Sequence, residues 1–386
     1  MNKKKCQLCF STNWVPLPDP SEINCVTTAS RIIPQPLGKS QCKKCGFTQR
    51  VRANFLGFTD YYKNDYANYY ERPFTTKFHK ARYKEIVNFM MENVNSKAKF
   101  KNVLDIGCGQ GWAMDEFKLR FPNCNIEGVE PSDYNVKVAQ EKGYKIYHGK
   151  LEEIKFKIKY DLIFSNNVVQ HVTDARKFVS EFKNLLSKNG IILITCPDGS
   201  RPNIELLWGD QNYSFLPQHL LQLGNNQGFE KCIHLLSRDF PELPPAQSIT
   251  LTNNSSLLKD NITVSENYID KSFVLRARTN YLASFKKIDD YLIEQIGSSK
   301  EVYNLGASYW TSVLAAYCPK YWSKVNACVI DELGEQKDFL GKKLVSSSSI
   351  NKNLIVLGTS PAGHSSLIKK LDDWEKVVSW DQFLKY

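Results

Sequence analysis

Asp105, three glycines and Glu130 stand in an order that suits a small ligand carrying a cation and a ribose. Val103-Leu104-Asp105-Ile106 reads as a short buried strand, and Gly107, Gly109 and Gly111 follow it at once. The apolar positions Met114, Phe117 and Phe121 predict a helix after the turn. Ile126-Glu127-Gly128-Val129 predicts a second strand that ends in Glu130. Glycines let the backbone approach a ligand closely, and an acid about 20 residues on can hold a ribose diol. Two chemistries share this layout. A dinucleotide would bring its pyrophosphate to the helix start. Asp105 ahead of the first glycine repels such an anion and favours a ligand with a cationic amino group.

Four of the eleven cysteines form a second constellation. Cys6 and Cys9, and Cys42 and Cys45, make two C-x-x-C knuckles. Each knuckle offers two thiolates from one tight turn, and two knuckles complete a tetrahedral zinc site. With four thiolate ligands and no open position, such a Zn2+ is structural. Neither pair opens a helix after a strand, which argues against a redox dithiol.

The elements that position these residues follow from the pattern of the chain. Its 386 residues allow two or three domains, and 42% apolar content supports folded cores. Residues 1–60 lack a long helix pattern and suit a small metal-stapled, zinc-binding domain. A tyrosine-dense stretch follows, containing Tyr66, Tyr69 and Tyr70. From 101 to 200 the pattern alternates strand and helix, with strands at 144–148, 160–165 and 190–195, which predicts an α/β doubly wound sheet with its ligand at the strands' carboxyl ends. Residues 61–200, tyrosines included, form this second domain. Residues 201–297 are read as substrate-facing loops and a bridging helix, and 298–386 as a C-terminal Rossmann-like domain with a single turn glycine.

No apolar run approaches the roughly 18 residues of a membrane span. The N-terminus is basic but lacks the apolar region of a secretory signal. A cytoplasmic protein is the expectation. The net charge of +11 comes from dispersed lysines, which form a solvated surface or attract an anionic substrate. No nucleic-acid-binding motif accompanies that charge.

The string Asp105-Ile106-Gly107-Cys108-Gly109-Gln110-Gly111 resembles motif I of class I S-adenosylmethionine-dependent methyltransferases. The resemblance implies that S-adenosyl-L-methionine places its methionine part on this turn and its ribose on Glu130. Asp161 to Val172 resembles the family's fourth-strand motif, which implies Asn166 and His171 as pocket residues, with Leu151 and Glu152 at the adenine. Zinc knuckles, a tyrosine segment, the methyl-donor domain and a Rossmann-like unit, in that order, resemble the bacterial sugar C-methyltransferases. That family implies a nucleotide-linked sugar of surface polysaccharide (capsule) biosynthesis as substrate, a Glu-His pair acting on it, and a nearby tyrosine, here Tyr66, Tyr69 or Tyr70. At the matching place this chain has Gln218 and His219. C-methylation beside a ketone needs a proton removed and an enolate stabilised, whereas hydroxyl methylation needs one base. The replacement of glutamate by Gln218 points to O-methylation with His219 as base and Gln218 orienting the sugar. C-methylation of a 4-keto sugar is the alternative.

Overall fold

The structure is a computed structural model and describes residues 4–53, 63, 75–240, 243–259, 268–331, 333–334 and 336–384. The N-terminal unit holds β1 (Trp14–Pro16), β2 (Cys25–Val26), β3 (Ile32–Ile33), β4 (Lys39–Cys42) and β5 (Thr48–Arg50). The central unit contributes β6 (Asn102–Ile106), β7 (Asn125–Glu130), β8 (Lys145–His148), β9 (Tyr160–Asn166) and β10 (Leu186–Pro197). After β11 (Tyr213–Ser214) come β12 (Lys231–Phe240) and β13 (Leu243–Thr252).

The central sheet has the order β12-β13-β10-β9-β6-β7-β8. Strands β6 to β10 pair in parallel, and the β12–β13 hairpin adds to β10 antiparallel. Counted from β6 and leaving out β11, which lies in another sheet, the order is 3-2-1-4-5-7-6. The strand order reverses between β6 and β9, and open α/β sheets bind ligands at such a switch point. Helices cover both faces, so the inner strands are continuous apolar runs. Leu104, Ile163, Ile192 and Ile194 pack against Phe178, Val179 and Phe182 of the helix Ala175–Leu185. Val103, Leu162, Phe164 and Leu193 face Met114 and Phe117 of the helix Trp112–Arg120 and Val87 and Met90 of the helix Thr75–Met90. Asp174 caps the helix Ala175–Leu185 by accepting from the Lys177 backbone N–H at 2.9 Å.

The β12–β13 hairpin corrects the reading of 201–297 as loops and a bridging helix. Prolines and polar residues in this stretch read as loop, yet β12 and β13 form an antiparallel pair that extends the sheet. The bridging helix is present as Lys271–Ile296, with Asp270 capping it at 3.1 Å and Gly297 ending it at φ 54°. Beyond it lie β14 (Tyr303–Leu305), β15 (Ala327–Val329), β16 (Asp338–Phe339), β17 (Lys342–Val345), β18 (Leu354–Leu357) and β19 (Lys376–Val378). Their order is β16-β17-β15-β14-β18-β19, parallel apart from β16, which is a Rossmann-like arrangement.

The units share structure. The N-terminal sheet β1-β4-β5 takes β11, which follows β10 in the chain, as its fourth strand. Leu17, Val26 and Leu37 lie in one core with Leu207 and with Tyr281, Phe285, Leu314 and Trp380.

Candidate active site

The carboxyl ends of β6, β7 and β9 open into a cavity of about 310 Å³. Asp105, Gly107, Gly109, Glu130, Leu151, Glu152, Asn166 and His171 all line it. The chain thus brings together residues that stand 66 positions apart. Gly111 does not line the cavity. It adopts φ 78° at the N-terminus of the helix Trp112–Arg120 and turns the chain into that helix.

The glycine turn is sterically required at one point in particular. A side chain on Gly107, which has φ 78°, would meet Val168 Cγ2 at 2.3 Å. Gly109 also has a positive φ, and its N–H donates to Glu130 Oε2 at 2.9 Å. Glu130 Oε1 accepts from the Ser132 N–H at 3.0 Å and lies 3.5 Å from Asn135 Nδ2. The acid that ends β7 is therefore oriented by the turn after β6 and by the next helix start.

Asp105 and Glu130 are both buried. Burial pushes the Asp105 carboxyl well above the usual range, and the nearby Glu130 charge raises it further. Burial likewise raises Glu130, against the pull of its backbone donors. Two acids strained in this way favour a cation beside them. S-adenosylmethionine carries an ammonium, a sulfonium and a ribose diol, so the residues present fit that ligand. Asp105 and the turn would hold the amino acid end and Glu130 the ribose.

Sequence reasoning missed several lining residues. Arg82 and Tyr83 reach the cavity from the helix Thr75–Met90, and Lys177, Phe178 and Glu181 from the helix Ala175–Leu185, with Asp174 from its N-cap. These elements are distant in sequence from the glycine turn and carry no motif. Asn167 also lines the cavity, at φ 57°, a conformation that asparagine tolerates better than most residues.

His219 and Gln218 are elsewhere. His219 Nδ1 accepts from the Leu216 N–H at 3.1 Å, and Nε2 donates to the Cys45 carbonyl at 2.8 Å. The ring is buried, packs edge-on to Phe47, and its pKa is driven down to about 3 by burial. Both nitrogens are committed, and neither lines the cavity. The geometry corrects the expectation that His219 is the base. Gln218 Nε2 donates to the Ile269 carbonyl at 2.8 Å, and Oε1 accepts the Ile269 N–H at 3.3 Å. It ties the helix Pro217–Asn225 to the approach of the long helix and does not face the cavity. Tyr66, Tyr69 and Tyr70 lie outside the described residues.

The four cysteines Cys6, Cys9, Cys42 and Cys45 do converge, with all sulfurs within 4.8 Å of one another. Cys6 Sγ lies 3.6 Å from Cys45 Sγ, and Cys9 Sγ 3.5 Å from Cys42 Sγ. A tetrahedral zinc with bonds of about 2.3 Å spaces its sulfurs at roughly 3.8 Å, so the quartet fits that ion. Gly46 at φ 81° closes one knuckle, and Phe10 at φ 60° takes the same left-handed position in the other.

Fold and cavity together define a class I methyltransferase domain, and residues 76–237 match the model of the Methyltransferase domain family. The ubiquinone biosynthesis O-methyltransferase of Pelagibacter ubique is 32% identical over 117 residues, 28% of this chain and 47% of that protein. A malonyl-acyl-carrier-protein O-methyltransferase of Calditerrivibrio nitroreducens is 32% identical over 114 residues, 29% and 45% of the two chains. The chain thus spans less than half the length of these curated relatives. Among solved structures, the plantazolicin methyltransferase BamL with S-adenosylhomocysteine covers 47% of this chain and 86% of its own at 16% identity, TM-score 0.38.

Proposed function

We propose that this protein transfers the methyl group of S-adenosylmethionine to a hydroxyl oxygen of a sugar or nucleotide-linked sugar. The observation that carries the donor half is the pair of buried carboxylates, Asp105 and Glu130, flanking the glycine turn in one cavity. Leu151 and Glu152, on the same wall, suit the adenine and its amino group. Asn166 ends β9, where the methyl group would point. The donor supplies a methyl carbon already activated by its sulfonium, so the protein's task is to position the acceptor and remove a proton.

The acceptor half rests on the order of units. A cysteine-knuckle unit, the methyl-donor domain and a Rossmann-like unit follow one another, as in the sugar C-methyltransferases, and the net charge of +11 attracts an anionic nucleotide carrier. The O-methyltransferase names of the curated relatives support oxygen as the acceptor atom. The four-cysteine site holds structural zinc, and the thiol-rich chain works in the cytoplasm. No helix among the described residues is long and apolar enough to cross a membrane.

The test is release of S-adenosylhomocysteine with a panel of keto and non-keto nucleotide sugars, with mass detection of product. A gain of one methyl on a non-keto sugar is expected. Gain on keto sugars alone, with solvent deuterium entering the carbon skeleton, would replace this reading by C-methylation.

A further inference from the structure

The segment after β9 runs along the donor cavity, and His171, Val172 and Thr173 line that cavity. The four backbone carbonyls from Gln170 to Thr173 are all bound by two residues far along the chain, Asn212 and Tyr213. The Tyr213 N–H donates to the Gln170 carbonyl at 3.2 Å. Asn212 Nδ2 donates to the His171 carbonyl at 2.7 Å and to the Val172 carbonyl at 3.2 Å. The Tyr213 hydroxyl donates to the Thr173 carbonyl at 2.7 Å. Asp174 comes next and caps the helix Ala175–Leu185, whose Lys177, Phe178 and Glu181 line the same cavity. The clamp therefore fixes one wall of the cavity and the start of the helix that continues it. We infer that Asn212 and Tyr213 are positioning residues of the methyl transfer, which hold this wall ready for the donor and are themselves held by the cysteine-knuckle unit. The inference rests on the methyltransferase reading above and deepens it.

The clamp is built on the N-terminal sheet. Tyr213 and Ser214 form β11, which pairs antiparallel with Gln49 and Thr48 of β5. The Arg50 N–H donates to the Asn212 carbonyl at 2.8 Å. Phe47, just past the second knuckle, stacks on the Tyr213 ring with centroids 5.5 Å apart. The loop that leads into the clamp is gripped from the same side. The Thr28 N–H donates to Asp210 Oδ1 at 2.9 Å, and Lys39 Nζ donates to the Leu206 carbonyl at 2.9 Å. The His171 ring is tied to this loop too, with Nδ1 3.1 Å from the Asp210 carbonyl. The N-terminal unit thus has a second task besides its own fold, namely to carry part of the donor cavity.

The side-chain chemistry of the clamp follows from what it must satisfy. An irregular segment has no ladder partner for its carbonyls, and buried carbonyls need donors. Each bonded carbonyl also fixes the tilt of its peptide plane and so the direction of the neighbouring side chains. Asn212 and Tyr213 are both buried. Asn212 carries a penalty for its role, because its Oδ1 is buried with no hydrogen-bond partner among the described residues. An apolar residue would avoid that penalty and leave the His171 and Val172 carbonyls unmet. A wall ordered in advance binds its ligand more tightly, since less order is imposed on binding.

The test is calorimetric titration of S-adenosylhomocysteine into the intact chain, well below the unfolding temperature of each variant, together with hydrogen exchange read by mass spectrometry. Asn212→Leu should raise Kd about tenfold, and Tyr213→Phe, which keeps the ring on Phe47 and the backbone N–H, about threefold. Amides in 170–178 should exchange faster in both variants, while those of β6 exchange as in wild type. Gln218→Leu removes two hydrogen bonds away from the cavity and is the control for general destabilisation. It should lose stability and keep Kd within about twofold of wild type. If Asn212→Leu does not fold, Tyr213→Phe decides the matter. Tyr213→Phe with wild-type Kd and wild-type exchange at 170–178, or an equal loss of affinity in Gln218→Leu, would overturn the inference. Failure of wild-type protein to bind S-adenosylhomocysteine would instead overturn the reading on which it rests.

Discussion

Buried polar side chains in this protein have duties that their partners define. His219 is a buried bridge between Leu216 and Cys45, not a proton carrier. Its removal orphans a backbone N–H and a carbonyl and opens space beside Phe47. His219→Ala should therefore cost about 2–4 kcal/mol of stability, while kcat of the folded fraction stays near wild type. Thermal unfolding and kinetics on the same sample check this, and a selective loss of kcat without loss of stability would contradict it. The chemistry of a histidine was legible in the sequence, but the direction of its ring was not. That direction is set by a cysteine knuckle 174 residues away. Asp105 and Glu130, by contrast, were legible because strand ends and an intervening glycine turn place them with local geometry alone. Asp210 carried no local signal, since its contacts include His171 and Thr28, which lie far from it in sequence.

At the scale of elements, the two knuckles close the N-terminal sheet. Strand β4 ends in Cys42, and the second knuckle leads into β5. The cysteine quartet and the central domain are coupled through Cys45, His219 and β11. Stripping zinc with a chelator, or Cys45→Ser, should release about one equivalent of metal and lower stability by about 4 kcal/mol for an ion held at a thousandfold above its Kd. Metal analysis with thermal unfolding measures both. An unchanged melting curve after full metal loss would show the quartet to be dispensable. The parallel strands β6, β9 and β10 were readable because both faces are covered and the runs are continuous. The β12–β13 hairpin was not, because its pairing partner is β10 and its prolines and polar residues read locally as loop.

The whole molecule is held together by the long helix Lys271–Ile296. Its Arg278 is completely buried and donates to Gln41 at 3.0 Å, to Thr48 at 2.6 Å and to the Gly199 carbonyl at 2.9 Å. One guanidinium thereby joins the N-terminal sheet, the loop after β10 and the approach to the C-terminal unit. Burial lowers its pKa to about 9, so the charge persists at pH 7. Arg278→Ala should cost about 3 kcal/mol or more by leaving these acceptors unpaired, and Arg278→Lys should recover only part of it. Denaturant unfolding of both variants tests this, and a neutral Arg278→Ala would refute the bridging role. The central claim, a site for a cationic methyl donor, is most directly tested by calorimetric titration of S-adenosylmethionine in two buffers of different ionisation heat. Asp105 and Glu130 have raised pKa values without ligand, and a bound cation lowers them, so binding must release protons and tighten as pH rises. One-to-one binding with proton release below neutral pH is the predicted result. No binding, or binding that tightens on acidification, would contradict the account.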